Sequence, residues 1–185
     1  MSFLKRKDYE RIILGSFIDE ITNNDYGIVE YSELAAIDTV KSYLSASYDV
    51  DKIFIDYQDW NDTVEYKEGD AVWFYPDAST SGSEDQLYVA KVDNIGISPL
   101  DTDTWERRDP RNHHIVRILV DIVIFDLYSR ISPGDIPELR GIRYDEAIKQ
   151  LKNYMKGTNA AQLPTLKSTT FRPVEDTKPT NEYKF

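Results

Sequence analysis

The chain lacks cysteine altogether and has only two histidines among its 185 residues. The first absence excludes disulfides, thiolate metal sites and cysteine nucleophiles. The histidines are adjacent, at His113 and His114, and neighbouring helical residues point about 100° apart, so the pair does not chelate one ion from one face. Surface or capping roles are favoured over metal or base roles. Signature motifs of zinc proteases, phosphate-binding loops and serine hydrolases are also missing.

These absences predict a protein that is not an enzyme and that carries no cofactor. Two minor alternatives stay open. Asp93, Asp101 and Asp103 could supply oxygen ligands for Ca²⁺, although the glycine and terminal glutamate of an EF-hand loop are missing there. A hydrolase or lyase that uses a carboxylate pair is the other, but in so acidic a chain no pair stands out.

Basic residues are scarce as well. There are 22 Lys and Arg against 33 Asp and Glu, which gives a net charge of −11. A surface that binds a phosphate backbone needs clustered basic side chains. The balance therefore argues against nucleic-acid binding, and it suits a protein that DNA passes without sticking.

Long apolar runs are absent too. The most apolar stretch, residues 115–128, carries Arg117, Asp121 and Asp126, whereas a bilayer span needs about 20 apolar residues. The N-terminal sequence MSFLKRKDYERI has no apolar run after its basic residues and does not read as a signal peptide. We expect no membrane association and synthesis in the cytoplasm of the producing cell.

Apolar residues recur at helical spacing in four segments. They predict helices over residues 8–23, 32–48, 112–131 and 144–156, with Asp8 and Ser32 as N-caps and Gly157 at the C-cap of the last. The third is apolar nearly all round, which predicts a central position. We expect a mainly α protein, with a four-helix bundle built from residues 1–50 and 110–157.

An acidic segment of different character separates the second and third predicted helices. Residues 49–111 hold sixteen acidic and six basic residues, so −10 of the total charge of −11 lies there. Residues 63–66, 71–75, 87–93 and 104–107 are typical of short strands, and residues 77–85 of a hairpin loop. We expect a small antiparallel β module inserted over residues 51–109.

Large aromatic residues stand out in this insert. They are Trp60, Tyr66, Trp73, Tyr75, Tyr88 and Trp105. A small β unit fills its core with a few large rings. Rings presented on a face could instead stack on the sugar rings of a glycan. Both interpretations stay open at this point.

Residues 158–185 have no periodicity, yet they carry large apolar residues that a purely solvated tail rarely keeps. We expect an extended arm that becomes ordered against a partner subunit. Its interface candidates are Leu163, Leu166, Phe171, Tyr183 and Phe185.

The helical segments resemble a known family. The stretches are FLKRKDYERII, ELAAIDTVKSYLSASYDV, RILVDIVIFDLYSRI and IPELRGIRYDEAIKQLKNYMKG. In order and spacing they are similar to the Mu-like prophage neck-protein family, the small head–tail connectors, or adaptors, of tailed bacteriophages. The most specific part covers residues 137–157, with Arg140, Arg143 and Tyr144. The resemblance covers about half of the chain.

The resemblance implies a structural virion protein in the neck, between the capsid portal and the tail. Such a subunit joins a ring of about twelve copies under the portal. The ring extends the DNA channel and docks the tail, so the implied partners are other copies, the portal protein and the tail or neck proteins. In this setting Arg140 and Arg143 are candidates for ion pairs between or within subunits.

The insert has a resemblance of its own. WNDTVEYKEGDAVWFYPD and LYVAKVDNIGISPLDTDTW are similar to the small carbohydrate-binding module of chitinases. The shared residues are mostly those that build that module's core, so a structural or protein-contact role is favoured over glycan contact. The alternative function for the whole chain is a glycan-binding or capsid or tail decoration protein that acts through the insert.

Overall fold

The computed structural model describes residues 3–75, 86–131, 134, 136–157 and 162–166. Within these ranges the fold is mixed α/β, with six helices and five short strands. The helices are α1 (Arg6–Glu10), α2 (Gly15–Thr22), α3 (Tyr26–Leu44), α4 (Val50–Ile53), α5 (His113–Ile131) and α6 (Glu138–Met155). The strands are β1 (Glu65–Tyr66), β2 (Ala71–Phe74), β3 (Gln86–Ala90), β4 (Asn94–Ile95) and β5 (Trp105–Arg107). The expected mainly α fold with a four-helix bundle is corrected to a mixed α/β fold with six helices, whereas the small antiparallel sheets expected in the insert are present.

The first predicted helix, over residues 8–23, is divided into α1 and α2. The break lies at Leu14, whose backbone is extended (φ −61°, ψ 136°) just before α2 begins at Gly15. Periodicity misses the break because apolar residues on both sides, Ile13 and Ile18 among them, reach the same core. Asp8 does not precede α1 as its N-cap: it lies inside the helix, and its Oδ2 accepts from the backbone N–H of Lys5 at 2.9 Å.

The second predicted helix begins six residues earlier than expected. Asp25 is the N-cap of α3, and its side chain accepts from the N–H of Gly27 at 3.0 Å. Ser32, predicted as the cap, is buried within the helix, where its hydroxyl donates to Asp126 Oδ2 on α5 at 2.6 Å. A serine that links two helices looks the same in sequence as a serine that starts one.

The prediction for the third helix is confirmed, since α5 covers nearly the same residues and lies at the centre. Asn112 precedes it, and its Oδ1 accepts from the N–H groups of His114 and Ile115. Helices α1, α2, α3 and α6 all contact α5. The side chains of α5 that are essentially inaccessible to solvent are Ile115, Leu119, Val120, Val123, Ile124 and Leu127. None of the helices described is long and apolar enough to cross a membrane.

Helix α6 begins at Glu138, six residues before its predicted start. Pro137 precedes it as the N-cap. At its other end the helix stops where predicted. Gly157 adopts a left-handed backbone (φ +68°), and its N–H donates to the carbonyl of Tyr154 at 2.9 Å. Glycine suits this position because a side chain there would strain the backbone.

The insert forms two small antiparallel sheets. One has the order β2–β3–β5, with Ala71 opposite Val89 and Ala90 opposite Trp105. The other pairs β1 with β4 and sets Glu65 opposite Ile95. Four of these strands were predicted, while β4 was not. The predicted hairpin loop at residues 77–85 lies outside the described residues.

The insert has a hydrophobic core of its own, built around Trp105. Its buried members are Tyr66, Val72, Tyr88, Ala90 and Trp105, with Trp60 and Phe74 packed against them. Tyr66 meets Trp105 edge to face at 5.3 Å between ring centroids. The indole Nε1 of Trp105 also donates to the carbonyl of Ile97 at 3.0 Å. These rings fill the space between two sheets whose strands are too short to form a larger core.

Replacement of Trp105 by alanine should unfold the insert first. The side chain is only 2% exposed, and truncation of a buried tryptophan costs about 3–5 kcal/mol. Urea unfolding followed by tryptophan fluorescence would measure the loss. Tyr75→Ala is the matched control, because that ring is 43% exposed and its loss should cost under about 0.5 kcal/mol. Equal stability of both variants would contradict this account of the core.

Candidate functional site

The insert is fastened to the helical body by a buried ionic cluster around Arg111. Its Nη1 donates to Asp8 Oδ2 at 2.8 Å and to the carbonyl of Phe3 at 2.7 Å. Its Nη2 donates to Asp109 Oδ2 at 2.7 Å. The side chains of Arg111 and Asp8 are completely buried. One guanidinium therefore holds together the N-terminal segment, the end of the insert and the residues that lead into α5.

Electrostatics keep this cluster ionised. Burial alone would lower the pKa of Arg111, but the hydrogen bonds to Asp109 and Asp8 outweigh burial and raise it. Burial would raise the pKa of Asp109, yet Arg111 holds it below its ordinary value. A protein interior tolerates buried charges only when each charge is paired and hydrogen-bonded. The sequence search missed the cluster, because Asp8 and Arg111 are 103 residues apart.

Trp73 lies at the same junction. The guanidinium of Arg111 stands 5.0 Å from the ring centroid, and the Nζ atoms of Lys5 and Lys7 stand at 4.8 and 5.4 Å. The backbone N–H of Trp73 donates to the carbonyl of Gln58 at 2.9 Å. Only 3% of the residue is exposed. Cations of the protein itself thus occupy the face that a sugar would need.

The other candidate rings of the insert are mostly buried as well. Tyr66, Tyr88 and Trp105 belong to the module core. Trp60 is half-buried and meets Phe74 edge to face at 5.6 Å. Tyr75 is the exposed member of the six candidates. These positions agree with the interpretation that the aromatic rings of the insert form its core. The described residues do not present a row of exposed rings on which a sugar could stack.

The two arginines of α6 make contacts within their own chain. Arg140 Nη2 lies 3.4 Å from the carbonyl oxygen of Ile12, and Arg143 Nη1 lies 4.0 Å from Glu146 Oε2. Both distances are long for strong ion pairs or hydrogen bonds. Tyr144 packs inward, with its ring stacked on Phe125 at 4.2 Å. The arginines are held loosely enough for a partner's carboxylate to compete for them.

A buried carboxylate, Asp121, lies on α5 near these arginines. Burial raises its pKa, and the charges of Arg117, Arg143 and Arg140 oppose the rise without cancelling it. The nearest recorded cation contact is Arg117 Nε at 3.9 Å. The carboxylate is therefore incompletely compensated where α5 faces α6.

The described part of the predicted arm is attached to the helical body. The N–H of Asp49 donates to the carbonyl of Pro164 at 2.8 Å, and Tyr48 forms a bridge with Thr165. Leu163 is only 7% exposed and belongs to the helical core, whereas Leu166 is 49% exposed. As an interface candidate Leu163 is thus occupied within its own chain. Phe171, Tyr183 and Phe185 lie outside the described residues.

Three of the possible metal ligands contact other groups. His114 meets Tyr154 edge to face at 5.8 Å. Asp101 accepts from the hydroxyl of Thr104, and Asp93 accepts from the N–H of Glu68. Among the described residues, no three His, Asp or Glu side chains are grouped so as to hold a metal ion.

A cleft of about 310 Å³ opens between α1, α2 and α3. Its walls are mostly apolar, and they include Leu4, Ile18 and Val29. Glu33 is buried beside them, where it accepts from the N–H of Leu4 at 3.0 Å and from the hydroxyl of Tyr9 at 3.3 Å. A carboxylate so engaged supports the entry of the chain into α1 and is poorly placed for acid–base chemistry.

Comparison with models of protein families, with curated proteins and with solved structures found no match for this chain. Function is therefore inferred from the contacts and surfaces described above.

Replacement of Arg111 by methionine should strongly destabilise the protein. The variant keeps an unbranched side chain but leaves buried Asp8 with only Arg11, 3.9 Å away, as a cation, and breaking a buried pair costs about 3–5 kcal/mol. Chemical denaturation at neutral pH would measure the loss. Arg108→Met is the control, because Arg108 and its partner Glu106 are both exposed and such pairs contribute at most about 1 kcal/mol. A loss no larger than the control's would show that the cluster is dispensable.

Asp121→Asn should stabilise the protein at neutral pH. The folded chain raises the pKa of Asp121, so stability falls as pH rises from the unfolded pKa to the folded one. Asparagine avoids this ionisation. The gain should therefore shrink as the pH falls toward 3, where aspartate is protonated in both states. Thermal unfolding of the variant and the native chain across pH 3–7 tests this, and a gain that grows on acidification would refute it.

Proposed function

We propose that this protein is a structural subunit that assembles into a ring and serves as a head–tail connector of a tailed phage. The observation that carries the proposal is the set of large apolar side chains exposed on the outer faces of the helices. They are Leu14, Phe17, Tyr31, Leu34, Leu139, Ile142 and Met155. Exposed apolar side chains that recur on helix faces mark contact surfaces.

These side chains occupy more than one surface. Leu14, Phe17, Tyr31 and Leu34 belong to the α2–α3 side, and Leu139 and Ile142 are one turn apart on α6. A ring built by head-to-tail contacts needs two different surfaces on every copy, whereas a two-fold dimer needs only one. The distribution therefore supports a ring over a simple dimer.

The charge of the chain suits a DNA conduit. With a net charge of −11, concentrated in the insert, the subunit repels a phosphate backbone instead of holding it. In this proposal about twelve copies stand in the virion neck, under the portal. They extend the channel, dock the tail or neck proteins, and let DNA pass without specific binding.

The alternative is a glycan-binding or decoration protein that acts through the insert. Its support is the exposed ring of Tyr75, which directly follows β2, together with half-buried Trp60, which packs on Phe74 of that strand. It is the weaker proposal, since the remaining candidate rings are buried. Retention on chitin beads that is lost in Tyr75→Ala, with folding unchanged, would favour it.

Assembly of the native chain is the decisive test of the connector proposal. Size-exclusion chromatography with light scattering should show oligomers of high order, or a monomer that forms rings only on a portal. Negative-stain images of the chain, alone and mixed with the portal ring encoded in the same genome, would show their form. The variant Leu139→Ser/Ile142→Ser should assemble less well without losing folding stability. A chain that stays monomeric and ignores the portal rules the proposal out.

A further inference from the structure

We propose that, between copies of this chain, the tip of the β insert docks on the C-terminal half of α6 of the next copy. The insert tip consists of Val64, Val92, Ile95, Ile97 and Leu100, with the carboxylates of Asp62 and Asp103. The basic face of α6 consists of Lys149, Lys152, Met155 and Lys156. The inference rests on the proposed assembly of copies and names the contact that forms it.

The insert tip is a fixed surface. Ile95 is paired with Glu65 across β1 and β4, and the carbonyl of Ile97 accepts from Trp105 Nε1. The side-chain Nζ of Lys91, the residue before Val92, donates to the carbonyl of Thr102 at 3.0 Å. These bonds join the parts of the tip around residues 65, 91–97 and 102–105. All five apolar side chains of the tip are nonetheless exposed to solvent. Several exposed apolar side chains in one small region indicate a contact surface.

Two carboxylates of the tip form no ion pair. Asp62 and Asp103 are both exposed, and neither forms an ion pair with the residues that the structure describes. The main chain of Asp62 lies directly beside Gly96. The tip therefore combines exposed apolar side chains with carboxylates that have no ion-pair partner, a composition that fits a positive partner with an apolar patch.

The basic face of α6 has the opposite charge. Lys149, Lys152 and Lys156 follow at helical spacing and share one exposed side, with Met155 exposed next to them. In the described part of the chain none of the three lysines forms an ion pair. The helix dipole favours cations in the last turn. It does not account for Lys149, which lies almost two turns from the end of α6, or for the exposed Met155, which has no charge.

The base of the insert lies near the end of α6. His114 near the start of α5 contacts Tyr154 near the end of α6. Arg111, three residues before His114, anchors the insert. In a ring, head-to-tail contacts join two different surfaces of neighbouring copies. The insert tip and the basic face of α6 are two such surfaces.

Charge complementarity points to a second copy as the occupant. The net charge of −11 repels copies at long range, but physiological salt screens charges beyond about 8 Å. Contacts between a lysine and a carboxylate act within that distance. The chain therefore carries both halves of a short-range contact whose apolar centres, Ile95 and Ile97 on one side and Met155 on the other, are left exposed.

Charge-reversal variants of the full chain test the contact. Asp62→Lys/Asp103→Lys and Lys149→Glu/Lys152→Glu should each raise the concentration needed for assembly about tenfold or more, because like charges then face each other. An equimolar mixture of the two variants should assemble again, since each tip meets a face of opposite charge. Light scattering measures assembly, and unchanged thermal unfolding shows that the variants fold.

The control is Asp51→Lys/Asp59→Lys, which alters net charge as the tip variant does but replaces exposed residues outside the tip and outside the helix faces proposed for assembly. It should assemble like the native chain. Native-like assembly of both tested variants, or no recovery in the mixture, overturns the inference while rings of the native chain leave the connector proposal standing. If the native chain forms no ring, alone or on a portal, both fail.

Cross-linking gives an independent measurement, because the chain has no cysteine of its own. Leu100→Cys copies mixed with Met155→Cys copies should form disulfide-linked pairs on mild oxidation, which requires Cα atoms within about 7 Å. Ile55→Cys replaces Leu100→Cys in the control mixture, since Ile55 is also exposed but belongs to none of the surfaces proposed for assembly. Linkage no greater than in the control would exclude the contact.

Discussion

The buried guanidinium of Arg111 is the interaction on which the arrangement of this molecule depends. It binds Asp8 at the N-terminal side, Asp109 at the end of the insert, and the main chain of Phe3. A charge taken out of water needs every partner in place, so the three segments are held in one relative position. The position of the acidic insert on the helical body follows from this cluster.

Two hydrophobic cores lie on either side of that junction. The helical core surrounds α5, and the aromatic core of the insert surrounds Trp105. Because the large rings are used for packing, the insert offers its aliphatic tip and its carboxylates to the outside. The surfaces left for partners are thus the outer helix faces and this tip, which suits an assembling protein better than one that binds sugars through stacked rings.

Part of this fold could be read from local sequence patterns. The apolar periphery of α5 predicted a central helix, the alternation around Val72 predicted strands, and Gly157 marked the end of α6. Other positions misled because the same residue type has two uses. Ser32 donates to Asp126 across two helices, and Leu163 enters the core of its own chain although it was expected to meet a partner.

The sequence by itself determined the presence and order of the long helices, the presence of an acidic β insert between two of them and the concentration of charge in that insert, since these follow from neighbouring residues. Only the tertiary structure decided which charges are paired and which rings are covered. Asp8 meets Arg111 across 103 positions, and Trp73 is enclosed by Lys5, Lys7 and Arg111. Such contacts depend on how separate segments pack, and no local periodicity records them.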